Sequence, residues 1–157
     1  MSRGDKWRYT TFVYLIYNLM TIETSITIKA TKEVIWQVLM SFSEYPEWNP
    51  FILSITGEPI VERQIKISLP TMKFKPIILT NKKEQLLSWK GKLGIKGIFD
   101  GHHQFEIQQL DEQHCLFIHR EDFSGILVPL FKKKLQTETQ QDFEAMNIAL
   151  KNRAEKA

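Results

Sequence analysis

The sequence predicts an α+β protein in which a long C-terminal helix lies across an antiparallel sheet. Two observations carry that expectation. In residues 127–155, LVPLFKKKLQTETQQDFEAMNIALKNRAE, apolar side chains fall at Phe131, Leu135, Phe143, Met146 and Leu150, with Thr139 filling the gap. Steps of three or four residues place them on one face of a helix. At ~1.5 Å per residue that helix is roughly 40 Å long, and a single apolar stripe of this length needs a surface to lie on. Most of the preceding chain alternates apolar and polar residues, the period of a half-buried strand, and so supplies that surface.

The totals fit one domain. A length of 157 residues is ordinary for a single domain, and 43% hydrophobic with 25% charged residues describes a soluble globular chain. Ten Phe, four Trp and four Tyr are enough to fill a core or to line a cavity. The net charge of +3 comes from scattered lysines, too weak a basis for a nucleic-acid partner. The single Cys115 allows no intramolecular disulfide and no cysteine metal cluster, so a reducing cytosol is the expected compartment. No metal or cofactor is called for.

The first twenty residues stand apart. Arg3, Lys6 and Arg8 precede an apolar run, residues 12–20, broken by Asn18. The run is short of the ~20 residues of a membrane span, so no stable membrane insertion is expected. It also lacks a small-x-small cleavage site. Three readings stand: an appended strand or loose arm, an upstream start with Met20 as the true one, or a weak membrane anchor. The domain is placed at residues 21–157, and residues 1–19 are read as dispensable to it.

Residues 22–29, IETSITIK, alternate with Ile22, Thr24, Ile26 and Ile28 on one face, which is a strand. Thr31 is placed to cap the helix KEVIWQVLM, whose Ile35, Val38 and Leu39 form an apolar face beside Trp36. Ser43 can cap a second short turn, SEYPEW, in which Pro46 is tolerated early and Pro50 stops the helix.

These residues also carry a resemblance. Ile28, Ala30, Glu33, Trp36, Val38 and Leu39, followed by Phe42, Tyr45, Pro46, Trp48, Asn49, Pro50 and Phe51, resemble the opening of the SRPBCC superfamily. That superfamily includes START lipid-binding domains, aromatic polyketide cyclases and birch-pollen-allergen-like proteins. Thr31 stands where the family usually has proline, and Ser41 where many members have aspartate; both positions are structural. The resemblance implies a helix-grip fold: one strand, two short helices, six further antiparallel strands, and a long C-terminal helix held by the curved seven-stranded sheet.

Further strands follow at residues 51–57, 62–69, 72–82 and 86–91. Ile65, Ile67 and Leu69 share a face of the second, and Pro76 demands an edge or a bulge in the third. Gly91, Gly94 and Gly97 lack the strand-to-helix junction and lysine–serine of a phosphate loop, and read as a flexible rim loop. The longest pair, residues 99–110 and 114–123, turns at 111–113. Its FDGHHQFEI and FIHREDFSGILVP segments strengthen the same resemblance, towards a bacterial branch of small cyclase-like proteins.

If that turn is centred near Glu112, partners sum to about 224, so Phe105 faces His119 and His103 faces Glu121. Opposed side chains have Cβ atoms ~4.5–5.5 Å apart. Two histidines and a carboxylate then cluster among Phe99, Phe105, Phe117 and Phe123. The resemblance turns that face towards the long helix. Three readings are open: a buried polar network that fixes register, a polar anchor in a lipophilic pocket, or an acid–base or metal site. The candidate pocket adds Phe74 and Trp89 from the strands, and Phe131 and Leu135 from the helix. His102 and His114 read as surface or turn residues, and Asn49 as a partner for local backbone. Lys132–Lys134 reads as a solvated face, with membrane-surface contact as the weaker alternative.

The expected function is binding of a small hydrophobic or amphipathic ligand between sheet and helix. An aromatic polyketide cyclase or dehydratase-like enzyme is the first alternative, and a chaperone-activator-like interaction module the second.

Overall fold

The structure is a computed structural model and describes residues 19–157. The readings made of residues 1–18 lie outside the described residues. Leu19 and Met20, placed in the extension from sequence, already belong to the first strand, pairing with Ser124 and Phe123.

Strand β1 (Leu19–Ile28) leads into helix α1 (Lys32–Met40), whose first turn is capped by the Thr31 hydroxyl accepting from the Val34 amide at 3.5 Å. A 3₁₀ turn (Phe42–Glu44) and the short helix α2 (Tyr45–Trp48) follow, with Pro46 in the first turn of α2. Ser43 lies inside the 3₁₀ turn and caps nothing. Ser41 closes α1 instead, its hydroxyl donating to the Gln37 carbonyl at 2.9 Å. The Asn49 side-chain oxygen accepts from the Phe51 and Ile52 amides at 2.9 and 2.8 Å, the local role expected of an Asn before Pro.

Among the described residues eight strands form two sheets in place of one sheet of seven. Strands β2 (Ser54–Thr56), β3 (Lys66–Ser68) and β4 (Lys73–Phe74) make the small sheet. Strands β5 (Ile77–Lys82), β6 (Leu86–Lys92), β7 (Asp100–Gln109) and β8 (Cys115–Ser124) join β1 in the order β1-β8-β7-β6-β5. The additional strand arises at Pro76, which splits the expected 72–82 strand into β4 and β5 because proline has no amide to give the ladder. The split is sutured across the gap: the Ile65 amide donates to the Pro76 carbonyl at 3.0 Å, and Gln64 bridges Ile77. All pairings are antiparallel.

The C-terminal helix begins as α3 (Val128–Lys134), with Pro129 in its first turn, and ends as α4 (Gln140–Ala154). Between them Leu135–Thr139 form a π-helical turn. The apolar stripe explains it. From Phe131 through Leu135 and Thr139 to Phe143 it advances in steps of four, and each step overshoots a 3.6-residue turn by roughly 40°. A wider turn absorbs the overshoot and keeps Phe131 and Phe143 facing the sheet. Thr137 helps to hold it, its hydroxyl donating back to the Lys133 carbonyl at 3.0 Å. Ion pairs fix the far end, where the Arg153 guanidinium meets Glu44 and Glu47 at 2.8 and 3.2 Å.

The core has two parts. The larger lies under α1 and the end of α4, built on Ile35, Leu39, Tyr45, Leu87, Phe105, Phe117 and Leu150. The smaller gathers Ile22, Phe123, Val128, Leu135 and Phe143 near the π turn. The helix rests directly on the sheet at its α4 end and stands off it at its α3 end.

Candidate functional site

A cavity of about 380 Å³ opens where the helix stands off. Its walls are apolar: Phe74 and Trp89 from β4 and β6, Phe99 and Phe123 from the β7–β8 pair, and Phe131 and Leu135 from the helix. Gly91 and Gly101, directly opposed across β6 and β7, leave part of its floor free of side chains. Leu93, Met72, Lys134 and Glu138 are exposed and form the mouth. The loop between β6 and β7 edges this mouth, as read from its glycines, but it is pinned. Gly97 and Ile98 carbonyls accept from the Ile126 and Leu127 amides, each at 3.1 Å.

His103 and Glu121 bring an imidazole and a carboxylate to the sheet side of the lining. The pairing sum of 224 holds along the whole ladder, so His103 opposes Glu121 and Phe105 opposes His119. Eight of the eleven expected pocket residues line the cavity, and Phe105, Phe117 and His119 do not. Those three are fully buried at 0% exposure. Parity puts them on the correct face, but they lie further along the strands, beneath the helix. There the Phe143 ring stacks on His119 with centroids 3.6 Å apart.

The polar groups run in series. Glu121 Oε2 lies 3.1 Å from His103 Nδ1, and His103 Nε2 lies 2.9 Å from His119 Nε2. His119 Nδ1 is 3.1 Å from Asn147 Oδ1, and Asn147 Nδ2 donates to Thr24 Oγ1 at 2.9 Å. The chain therefore crosses the core from the cavity to β1. The two imidazoles face each other edge to edge, so they do not converge with Glu121 on a common point as a metal triad must. Trp89 stacks on His103 with an interplanar angle of 2° and centroids 4.8 Å apart, which holds that ring upright.

Donor counting constrains the protons. With Asn147 donating to Thr24, its oxygen accepts from His119 Nδ1–H. Burial holds His119 well below the usual histidine range, with the charge of His103 acting the same way, so the ring is neutral and Nε2 accepts. His103 Nε2–H then donates to it, and His103 Nδ1 and Glu121 Oε2 must share one proton. Reversing the Asn147 amide reverses every bond and leaves His103 Nδ1–H donating to a carboxylate.

The cavity is thus mostly apolar, lies under a gripped helix and carries an acid–imidazole pair in its wall. Residues 20–155 match the family described as polyketide cyclase / dehydrase and lipid transport. The chain belongs to that family. Solved structures share the fold at low identity. The aromatase/cyclase ZhuI from Streptomyces sp. R1128 superposes with a TM-score of 0.72 and 13% identity, covering 88% of this chain and 95% of that one. A START superfamily protein from Mycobacterium smegmatis gives 0.67 at 20% identity, over 87% and 97%. Norcoclaurine synthase from Thalictrum flavum, a point mutant bound to a transition-state analogue, gives 0.68 at 15%, over 88% and 95%. No curated protein sequence matches the chain.

In this polyketide cyclase/dehydrase-type domain, sequence reasoning missed Asn147, Thr24 as a network member, and the Gly91–Gly101 floor. Asn147 had a signal, since it stands four residues after Phe143 on the buried face. The expected outer positions hold for His114, which pairs with Asp111 at 2.9 Å in the turn. His102 is half-buried opposite Asp122, and its imidazole is held below the usual range mainly by burial. Lys132 to Lys134 are exposed, as expected, with Lys134 3.6 Å from Glu138. Among the described residues no helix is long and apolar enough to cross a membrane.

Two predictions attach to this site. His119 is kept neutral in the fold but charges freely when unfolded, so below its unfolded value the unfolded chain binds more protons. Stability is thus fully present above about pH 6.5 and falls as the solution is acidified, by up to ~1.4 kcal/mol per pH unit. Denaturant titrations between about pH 5 and 7 should show this slope, with the half-buried His102 adding in the same direction. His119→Gln should flatten it; an unchanged slope would remove His119 from the explanation. The second concerns Gly101, where an added Cβ would collide with Glu121 Oε1. The colliding atom is the end of a flexible side chain, so Gly101→Ala should keep the fold and swing Glu121 off His103. Imidazole nitrogen NMR should then report a changed His103 tautomer or charge with little loss of thermal stability.

Proposed function

We propose that the protein binds a small hydrophobic or amphipathic molecule in the cavity between the sheet and the C-terminal helix. The supporting observation is the cavity itself, about 380 Å³ within mainly aromatic walls and with a polar pair at one side. Ligand sites of soluble proteins are of this size and composition. A domain used only as an interaction module would more naturally close that space with side chains. The family's description, which spans polyketide cyclisation, dehydration and lipid transport, agrees with a small-molecule site. A reducing, cytosolic setting belongs to the same reading, on the strength of the single buried Cys115.

A cyclase or dehydratase-like activity is the second reading, favoured by the proton shared between Glu121 and His103 beside an apolar space. General acid–base groups contribute ~10²–10⁴-fold to rates, so Glu121→Gln would then preserve binding and lower turnover by ~10²-fold or more.

The decisive experiment is native mass spectrometry of the protein purified from its own host. A co-purifying lipid or aromatic compound at one-to-one stoichiometry is the expected result. An empty protein that also fails to take up any of a panel of fatty acids, sterols and aromatic compounds would overturn the proposal.

A further inference from the structure

The free oxygen of Glu121 decides what kind of polar group the cavity accepts. Oε2 is committed to His103 Nδ1, and among the described residues Oε1 has no hydrogen-bond partner. Oε1 is also the atom that an added Cβ on Gly101 would strike, so it lies over the side-chain-free part of the floor. Both Gly101 and Glu121 line the cavity, and the Glu121 side chain is 18% exposed.

The proton count fixes the character of that oxygen. Glu121 and His103 are either an imidazolium with a carboxylate, or an imidazole with a carboxylic acid whose proton sits on Oε2. With the Asn147 amide reversed they are an imidazole Nδ1–H and a carboxylate. In all three arrangements the proton lies on the Oε2–Nδ1 axis, and Oε1 presents only lone pairs. In each of these arrangements Glu121 Oε1, at the cavity wall, is an acceptor. A second carboxylate placed there would meet lone pairs with lone pairs, and two carboxylates in one apolar site repel. A ketone or ester oxygen fails for the same reason.

We infer that the ligand carries a hydroxyl, as an alcohol or a phenol, at its buried end, and donates it to Glu121 Oε1. This rests on the cavity reading proposed above and narrows it to hydroxyl-ended amphiphiles, excluding fatty acids from that orientation. An acid can turn its carboxylate outwards to Lys92 or Lys134 at the mouth, but it then leaves Oε1 unpaired.

The test uses three probes of one shape: 4-hexylphenol, 4-hexyltoluene and 4-hexylbenzoate, titrated calorimetrically into the full chain. A hydrogen bond to a charged or proton-sharing acceptor in an apolar site should make the phenol bind about tenfold or more tightly than either of the others. Glu121→Gln can donate its amide to His103 Nδ1 and still present an oxygen to the cavity. It should keep the preference for phenol over toluene and lose part of the discrimination against benzoate. Glu121→Met removes the acceptor and should bring phenol and toluene to equal affinity. Equal affinity in the unaltered protein, or benzoate binding tightest, would overturn the inference while leaving the cavity reading in place. Binding of none of the three would overturn both. Circular dichroism and thermal unfolding of the two variants establish that they are folded. Should Glu121→Met not fold, the comparison of the three probes in the unaltered protein still decides.

Discussion

Phe143→Ala is expected to lower the unfolding free energy by ~3–5 kcal/mol, the largest effect of any single truncation on the helix. Phe143 is fully buried and belongs to the smaller core beside the π turn. Its ring stacks on His119, meets Phe51 edge-on with centroids 5.9 Å apart, and meets His103 at 5.3 Å. Truncation removes apolar area and leaves a void that the sheet cannot close, because the sheet is braced on the other side by the pairing of β1, β7 and β8. It also removes the ring that covers His119 in the polar chain. Leu135→Ala should cost less, ~2–3 kcal/mol, because Leu135 already borders empty space. Lys133→Ala should change stability by less than about 0.5 kcal/mol, as exposed positions do. Equilibrium denaturation of the three variants checks the ranking. Equal losses at all three would show that the buried face of the helix is assigned wrongly.

The residues that made the fold legible were those whose period has one physical meaning. Ile22, Thr24, Ile26 and Ile28 alternate as one face of a strand, and Thr31 before KEVIWQVLM offers a cap. The β7–β8 register followed from one assumption about a three-residue turn, because a slip of one residue would have turned Phe105 and Phe117 outwards. Placement along an element was less legible. Parity assigns Phe105, Phe117 and His119 to the concave face but says nothing of how far down the sheet the helix makes contact. That depth is set by where α4 lands, through Phe143 and Met146, and it decides which residues line space and which fill it. The π turn and the division of the sheet at Pro76 were hidden for a related reason. Each is a backbone response to a local misfit, in one instance a stripe of four-residue steps and in the other a missing amide. A pattern of apolar residues reports the stripe or the strand and not the adjustment that accommodates it.

Asn147→Leu is expected to cost roughly 2–4 kcal/mol, although leucine is apolar, similar in volume and a better helix former. The side chain is 2% exposed and serves two partners, accepting from His119 Nδ1 and donating to Thr24 Oγ1. Leucine would leave both groups buried and unpaired, and each such group costs ~1–3 kcal/mol. The loss would also pass along the chain, because the Asn147 amide sets which nitrogen of His119 carries its proton and so what His103 shares with Glu121. A merely local contact would not do this, and a double-mutant cycle separates the two. His119→Phe alone should destabilise by leaving Asn147 Oδ1 and His103 Nε2 without partners. Once His119 is phenylalanine, Asn147 has lost the partner that made it costly to remove. The double substitution should therefore fall short of the sum of the singles by ~0.5–3 kcal/mol, the range for residues that share one network. Additive losses would mean that Asn147 and His119 act independently and that the polar chain from Thr24 to Glu121 is no more than a row of neighbours.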